Sequence, residues 1–170
     1  MKNFLTRAKH LSEKLGPLLV QLPPSFKVDA KALESFLERI QTVRKELRLE
    51  DLPVAFEFRH VGWFEKSKYR NEAIDLLEKY NCAFVWAHSH EYPYPDDEPI
   101  TADFLYLRFH GPGKLFASEY GEEGLKPWAK KIQKFLNDGY DVYAYFNNTD
   151  GEYAPKDAQR LYSMATKNKY

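Results

Sequence analysis

The chain has 170 residues with 25 Lys and Arg against 25 Asp and Glu, so no global field draws it to nucleic acid or to an acidic membrane. At 44% hydrophobic and 29% charged it is not a disordered polymer, and its length suits one domain, residues 1–170, with a sizeable core. The longest unbroken apolar stretch, Cys82 to Ala87, is far short of the roughly 20 residues that span a bilayer. Lys2, Arg7, Lys9, Glu13 and Lys14 interrupt the start where a secretory signal needs an apolar run, so no membrane partner is expected. The single cysteine, Cys82, cannot form an internal disulfide, which points to a reducing, cytoplasmic location.

Phe4, Ala8, Leu11 and Leu15 recur at helical spacing and predict an opening helix that Gly16-Pro17 stops. Leu18 to Leu22 is a short apolar run cut by Pro23-Pro24, a buried strand. Asp29 is an N-cap for a second helix with the inner stripe Leu33, Phe36, Leu37, Ile40, Val43 and Leu47. Val54 to Arg59 is the second strand. A third helix carries Ala73, Ile74, Leu77 and Tyr80, ends near Asn81, and leads into a strand from Cys82 to Ala87.

From His88 to Ala102 there is no periodicity, and loops of that length inside compact domains tend to be functional or disordered. Phe104 to Phe109 is a fourth strand. Leu125, Trp128, Ala129, Ile132, Phe135 and Leu136 mark a helix closed by Gly139, and Asp141 to Phe146 is a fifth strand. Pro155 suits the first turn of a last helix bearing Ala158, Leu161, Tyr162 and Ala165.

Helix–strand alternation argues for a parallel sheet covered by helices, either an open doubly wound sheet or part of a (β/α)8 barrel. Side chains alternate along a strand. Phe56 and Phe58 therefore oppose Glu57 and Arg59. Leu105, Leu107 and Phe109 oppose Tyr106, Arg108 and His110, while Val142, Ala144 and Phe146 oppose Tyr143, Tyr145 and Asn147. Leu18, Val20 and Leu22 likewise oppose Gln21. One apolar face and one polar face per strand favour the barrel, whose sites lie at the C-terminal mouth. Gln21, Glu57, Arg59, Arg108, His110, Tyr145 and Asn147 form the expected constellation, with Trp86 and His88 as further candidates from the third strand. A full barrel needs about 250 residues and eight strands. The fold expected is thus α/β and TIM-barrel-like, a partial barrel with about five of eight βα units. Its exposed edge would invite a homo-oligomer.

Leu15-Gly16-Pro17 through Gln21-Leu22-Pro23-Pro24-Ser25-Phe26, then Phe56-Glu57-Phe58-Arg59-His60 with Trp63-Phe64, resemble the YecE-like family, catalogued as domain of unknown function 72. Tyr106-Leu107-Arg108-Phe109-His110-Gly111 and Tyr145-Phe146-Asn147-Asn148, followed by Ala154-Pro155 and Ala158, match it in the same order. The resemblance covers essentially the whole chain and implies a TIM-barrel-like fold with a C-terminal site, but no reaction. Family members usually begin with a Gly-Ser-Gly-aromatic strand, a Glu-Asn-Ser-Phe-Tyr-like strand and a Lys-containing strand. None of these is present, so the chain is expected to be a C-terminal portion of such a barrel.

Two guanidiniums, Arg59 and Arg108, suit a phosphate or carboxylate. The leading expectation is an enzyme-type site for a small anionic substrate, with hydrolase or isomerase chemistry. Glu57 and His110 would move protons, and Gln21, Arg59, Trp63, Arg108, Tyr145 and Asn147 would bind substrate. The plainer reading makes Glu57 and Arg59 a buried structural ion pair and Asn148 a turn builder. Trp63, Phe64, Tyr92, Tyr94 and Tyr120 follow strands and either line the mouth or pack loops. No cofactor is expected. A divalent metal on His60, His88, His90, His110 and Glu57 is an alternative that the two arginines argue against. His110-Gly111-Pro112-Gly113-Lys114 lacks the spacing and the Ser/Thr of a phosphate loop. Non-catalytic alternatives are an anion- or nucleic-acid-binding module, or an inactive truncated copy that self-associates.

Overall fold

The computed structural model describes residues 1–65, 68–90 and 98–166. In chain order its elements are α1 (Lys2–Ala8), β1 (Leu18–Leu22), α2 (Ala30–Leu47), β2 (Val54–Phe58), β3 (Phe64–Glu65), β4 (Lys68–Tyr69) and α3 (Asn71–Lys79). There follow β5 (Ala83–His88), β6 (Phe104–Phe109), α4 (Gly121–Asn137), β7 (Asp141–Phe146) and α5 (Tyr153–Thr166). The five long strands pair in parallel in the order β1-β2-β5-β6-β7, and all five were expected from the alternation of patterns. The antiparallel hairpin β3–β4 is additional. With two residues per strand it is too short to leave a periodicity.

The chain divides into two compact units, Met1–Phe84 with Pro99–Ala102, and Val85–Glu98 with Asp103–Tyr170. In the first unit α2 starts where the Asp29 carboxylate accepts the Ala32 amide at 2.9 Å. Its inner stripe of Leu33, Leu37 and Ile40 packs with Val54, Phe56 and Phe58 of β2, Ala73 and Leu77 of α3, and Phe84. The helix ends at Arg48, whose φ of 56° supplies the left-handed turn that glycine usually provides. Thr101 stitches the start of β5, accepting the Phe84 amide at 2.8 Å and donating to the Cys82 carbonyl at 2.7 Å.

The opening helix departs from expectation. α1 stops at Ala8, and residues Lys9–Lys14 wind as a 3-10 helix interrupted at Ser12, where φ is 50°. The tighter winding breaks the 3.6-residue stripe. Leu5 is the buried anchor, against Val43 and Leu52, while Phe4 and Leu11 are exposed.

In the second unit Leu105, Leu107 and Phe109 of β6 pack under Leu125, Ala129 and Ile132 of α4 and Leu161 and Ala165 of α5. The apolar alternates of β2 and β6 thus face their helices as the sequence pattern requires. α4 begins four residues before its apolar stripe. Its start is held from α5, where the Asp157 carboxylate accepts the Tyr120 amide at 2.9 Å and the Gly121 amide at 3.2 Å.

Candidate functional site

The predicted constellation resolves into two groups, one in each unit. In the first, Glu57 points away from the helix-facing alternates of β2 and its side chain is only 1% exposed. A buried carboxylate is costly unless paired. The pairing comes from Arg59, whose Nε donates to Glu57 Oε1 at 2.8 Å while its side chain stays 23% exposed. The carboxylate in turn fixes which way the guanidinium faces. Gln21, the register neighbour of Glu57 on β1, is exposed.

Trp63 does not line a mouth. It is fully buried, its indole N–H donates to the Phe26 carbonyl at 3.2 Å, and its ring lies between Phe26 and Phe58. The preceding turn is capped by His60, whose Nδ1 accepts the Gly62 amide at 2.9 Å.

In the second unit the half-buried Arg108 near the C-terminal end of β6 donates from Nη2 to Asn147 Oδ1 at 2.9 Å, just beyond the end of β7. Tyr145, in register with Arg108, is 43% exposed and stacks on Tyr106 with ring centroids 4.9 Å apart. His110 follows directly after β6, is buried, and sets its ring edge-on to Phe116 at 5.6 Å.

Trp86 and His88 belong to the other side of their strand. Trp86 is buried against Phe135, and His88 meets Tyr120 and Trp128. They share parity with Phe84, a core residue, which sets them on the helix face. Among the described residues no group of three His, Cys, Asp or Glu side chains gathers closely enough to hold a metal ion. Tyr92 and Tyr94 lie outside the described residues. In the His110–Lys114 segment the amides of Gly113 and Lys114 both donate to Ser118 Oγ at 2.9 Å, which occupies the donors a phosphate would need. Gly111 has φ 111°, and a Cβ there would lie 2.4 Å from the Lys114 carbonyl oxygen, so this turn requires glycine.

Two features went unrecognised in the sequence. Asp157, fully buried, accepts Asn148 Nδ2 at 2.9 Å in addition to the two helix amides, and Asn148 also donates to the Ser118 carbonyl at 3.0 Å. Asn148 is therefore a buried clamp rather than a plain turn builder. A signal existed: Asp157 falls on the inner stripe of Ala154, Leu161 and Ala165, where a lone carboxylate needs an internal partner. The second is the Tyr120 hydroxyl, which accepts the Gly111 amide at 3.2 Å and lies 2.8 Å from His88 Nδ1. Burial pushes its pKa well above the usual phenol range, so it remains a neutral hydroxyl.

Comparison with known proteins agrees with this architecture. A DUF72 family protein from Enterococcus faecalis V583 superposes with a TM-score of 0.76 at 21% identity, covering 96% of this chain and 64% of its own. Another, from Thermotoga maritima MSB8, gives 0.65 at 25% identity, covering 96% and 63%. The UPF0759 protein YunF of Bacillus subtilis strain 168 is 24% identical over 182 residues, covering 90% of this chain and 58% of that protein. The chain thus spans less than two thirds of each of these relatives. The fold is α/β and TIM-barrel-like, and the match to the protein family of unknown function DUF72 runs over residues 1–170: the chain belongs to that family.

Proposed function

We propose that the second unit binds a small anionic molecule bearing a phosphate or carboxylate, with Arg108 as the anchor. The observation that carries this is the Arg108–Asn147 pair: a half-buried guanidinium near the C-terminal end of a parallel strand, oriented by the Asn147 amide. Ligands of α/β proteins gather at that end of the sheet. Guanidinium geometry matches phosphate and carboxylate oxygens two at a time. Tyr145 offers a half-exposed ring in register with the anchor.

Arg59 in the first unit has the same chemistry, but its Nε is committed to Glu57. That commitment favours a second, structural reading for this pair, in which Glu57 holds Arg59 in place. In the enzyme form of the proposal, hydrolase or isomerase chemistry, His110 is the second unit's proton-handling group.

Calorimetric titration with inorganic phosphate tests the reading. The expected result is saturable binding that Arg108→Ala abolishes with the thermal midpoint otherwise unchanged. Absence of binding, or equal binding by Arg108→Ala, overturns it. Glu57→Gln, in the other unit and tied to Arg59, should leave phosphate affinity within about twofold.

A further inference from the structure

Phe116 lies in the segment between β6 and α4, and its backbone has φ 61°. A bulky L residue is strained in that left-handed region, where glycine and asparagine are the ordinary occupants. Burial of the ring does not offset the strain, because Phe116 is 41% exposed. Such a conformation persists only where its surroundings over-determine it. Here the Phe116 amide donates to the His110 carbonyl at 2.6 Å, and the Phe116 carbonyl accepts the Asp150 amide at 3.0 Å. Two residues on, Ser118 Oγ donates to the Lys114 carbonyl at 2.9 Å while accepting the Gly113 and Lys114 amides, and the Ser118 carbonyl accepts Asn148 Nδ2. The segment after β6 is thus tied to itself and to the segment after β7 on both sides of Phe116.

The ring is held at the end of the sheet where the anchor lies. The His110 amide donates to the His88 carbonyl at 2.9 Å and the Asn147 amide to the Phe109 carbonyl at 2.7 Å, so the parallel ladder runs on past β6 and β7. His110 therefore keeps the parity of Arg108. The Phe116 ring stands edge-on to His110 at 5.6 Å, and Arg108 meets Asn147 two residues earlier on the same strand. An aromatic ring that is already ordered and half open to water offers stacking without a further ordering cost when a ligand arrives.

We infer, on the Arg108 reading above, that the ligand is a phosphate monoester of an aromatic ring and that Phe116 is the residue that selects it. The phosphate meets the Arg108 guanidinium and the ring packs against Phe116. An alkyl ester of the same charge engages the guanidinium alone. The backbone strain at position 116 is retained because it presents the ring.

Calorimetric titration of the 170-residue chain with phenyl phosphate and methyl phosphate separates the two halves of the ligand. The phenyl ester should bind about tenfold more tightly, the scale of one aromatic stack. Phe116→Asn, which suits the left-handed backbone, should bind methyl phosphate within about twofold of the parent chain and lose the preference for the phenyl ester. Phe116→Tyr should keep that preference. Equal affinity of the parent chain for the two esters overturns the inference and leaves the Arg108 anchor standing. A preference that survives in Phe116→Asn overturns it as well. Binding of neither ester by the parent chain overturns the anchor and the inference together.

Discussion

β2 and β7 are made of similar materials and meet different fates. Both are parallel strands with aromatic residues on alternate positions, and both present an apolar face to helices. All five residues of β2 are buried, whereas none of the six in β7 is. The difference is neighbours: β2 lies between β1 and β5, and β7 has β6 on one side. Polar chemistry follows from this. On β2 a carboxylate is driven out of water and needs Arg59, so that arginine becomes part of the fold. Just beyond β7 the Asn147 amide accepts from Arg108, which stays half-buried near the end of β6.

The largest effect that would break this comparison is in the cores. Phe56→Ala on β2, at a fully buried position, should cost about 3–5 kcal/mol in urea denaturation. Phe146→Ala on β7, half-buried, should cost roughly half of that. Equal losses would mean that β7 is no more an edge than β2.

Alkali sharpens the contrast from the buried side. Burial pushes the Cys82 thiol up from 9.0 to about 12. Its folded pKa is raised, so its contribution is fully present below pH 9 and is lost as pH rises from 9 towards 12. The whole shift corresponds to about 4 kcal/mol. Unfolding free energies measured between pH 8 and pH 11 should fall with pH, and Cys82→Ala should flatten that slope. A slope unchanged by the substitution would place its origin elsewhere.

The faces of β2 and β6 were legible because period-two alternation is strict there: Phe56, Phe58, Leu105, Leu107 and Phe109 all reached the helix side, whereas the unbroken apolar run of β5 hid its faces and Trp86 and His88 were expected on the wrong one. The start of α2 was legible from Asp29, whose cap is local. The site was legible only pairwise. Glu57–Arg59 joins positions two apart on one strand, and Arg108–Asn147 follows from two neighbouring strands. Trp63 misled because an aromatic after a strand reads the same whether it lines a mouth or closes a core. The helix-capping role of Asp157 was missed because the Tyr120 and Gly121 amides it accepts are 37 and 36 residues away, a distance at which no spacing rule operates; its nearer partner Arg160, three residues on, is the only one that spacing offers. Nor does composition tell a central strand from an edge, since that depends on which strands pair.

Tyr145 carries the smallest prediction and the most discriminating one. It lies on the same strand as Phe146 with its side chain on the opposite face, 43% exposed and stacked on the buried Tyr106. Stacked pairs contribute about 0.5–1.5 kcal/mol beyond area burial, and one half-open to water belongs at the bottom of that range. Tyr145→Ala should therefore cost about 0.5 kcal/mol in the chain alone, well below Phe146→Ala. A cost as large as that of Phe146→Ala would show the averted face of β7 to be core, and the distinction between the two strands would fail at the residue where it is easiest to measure.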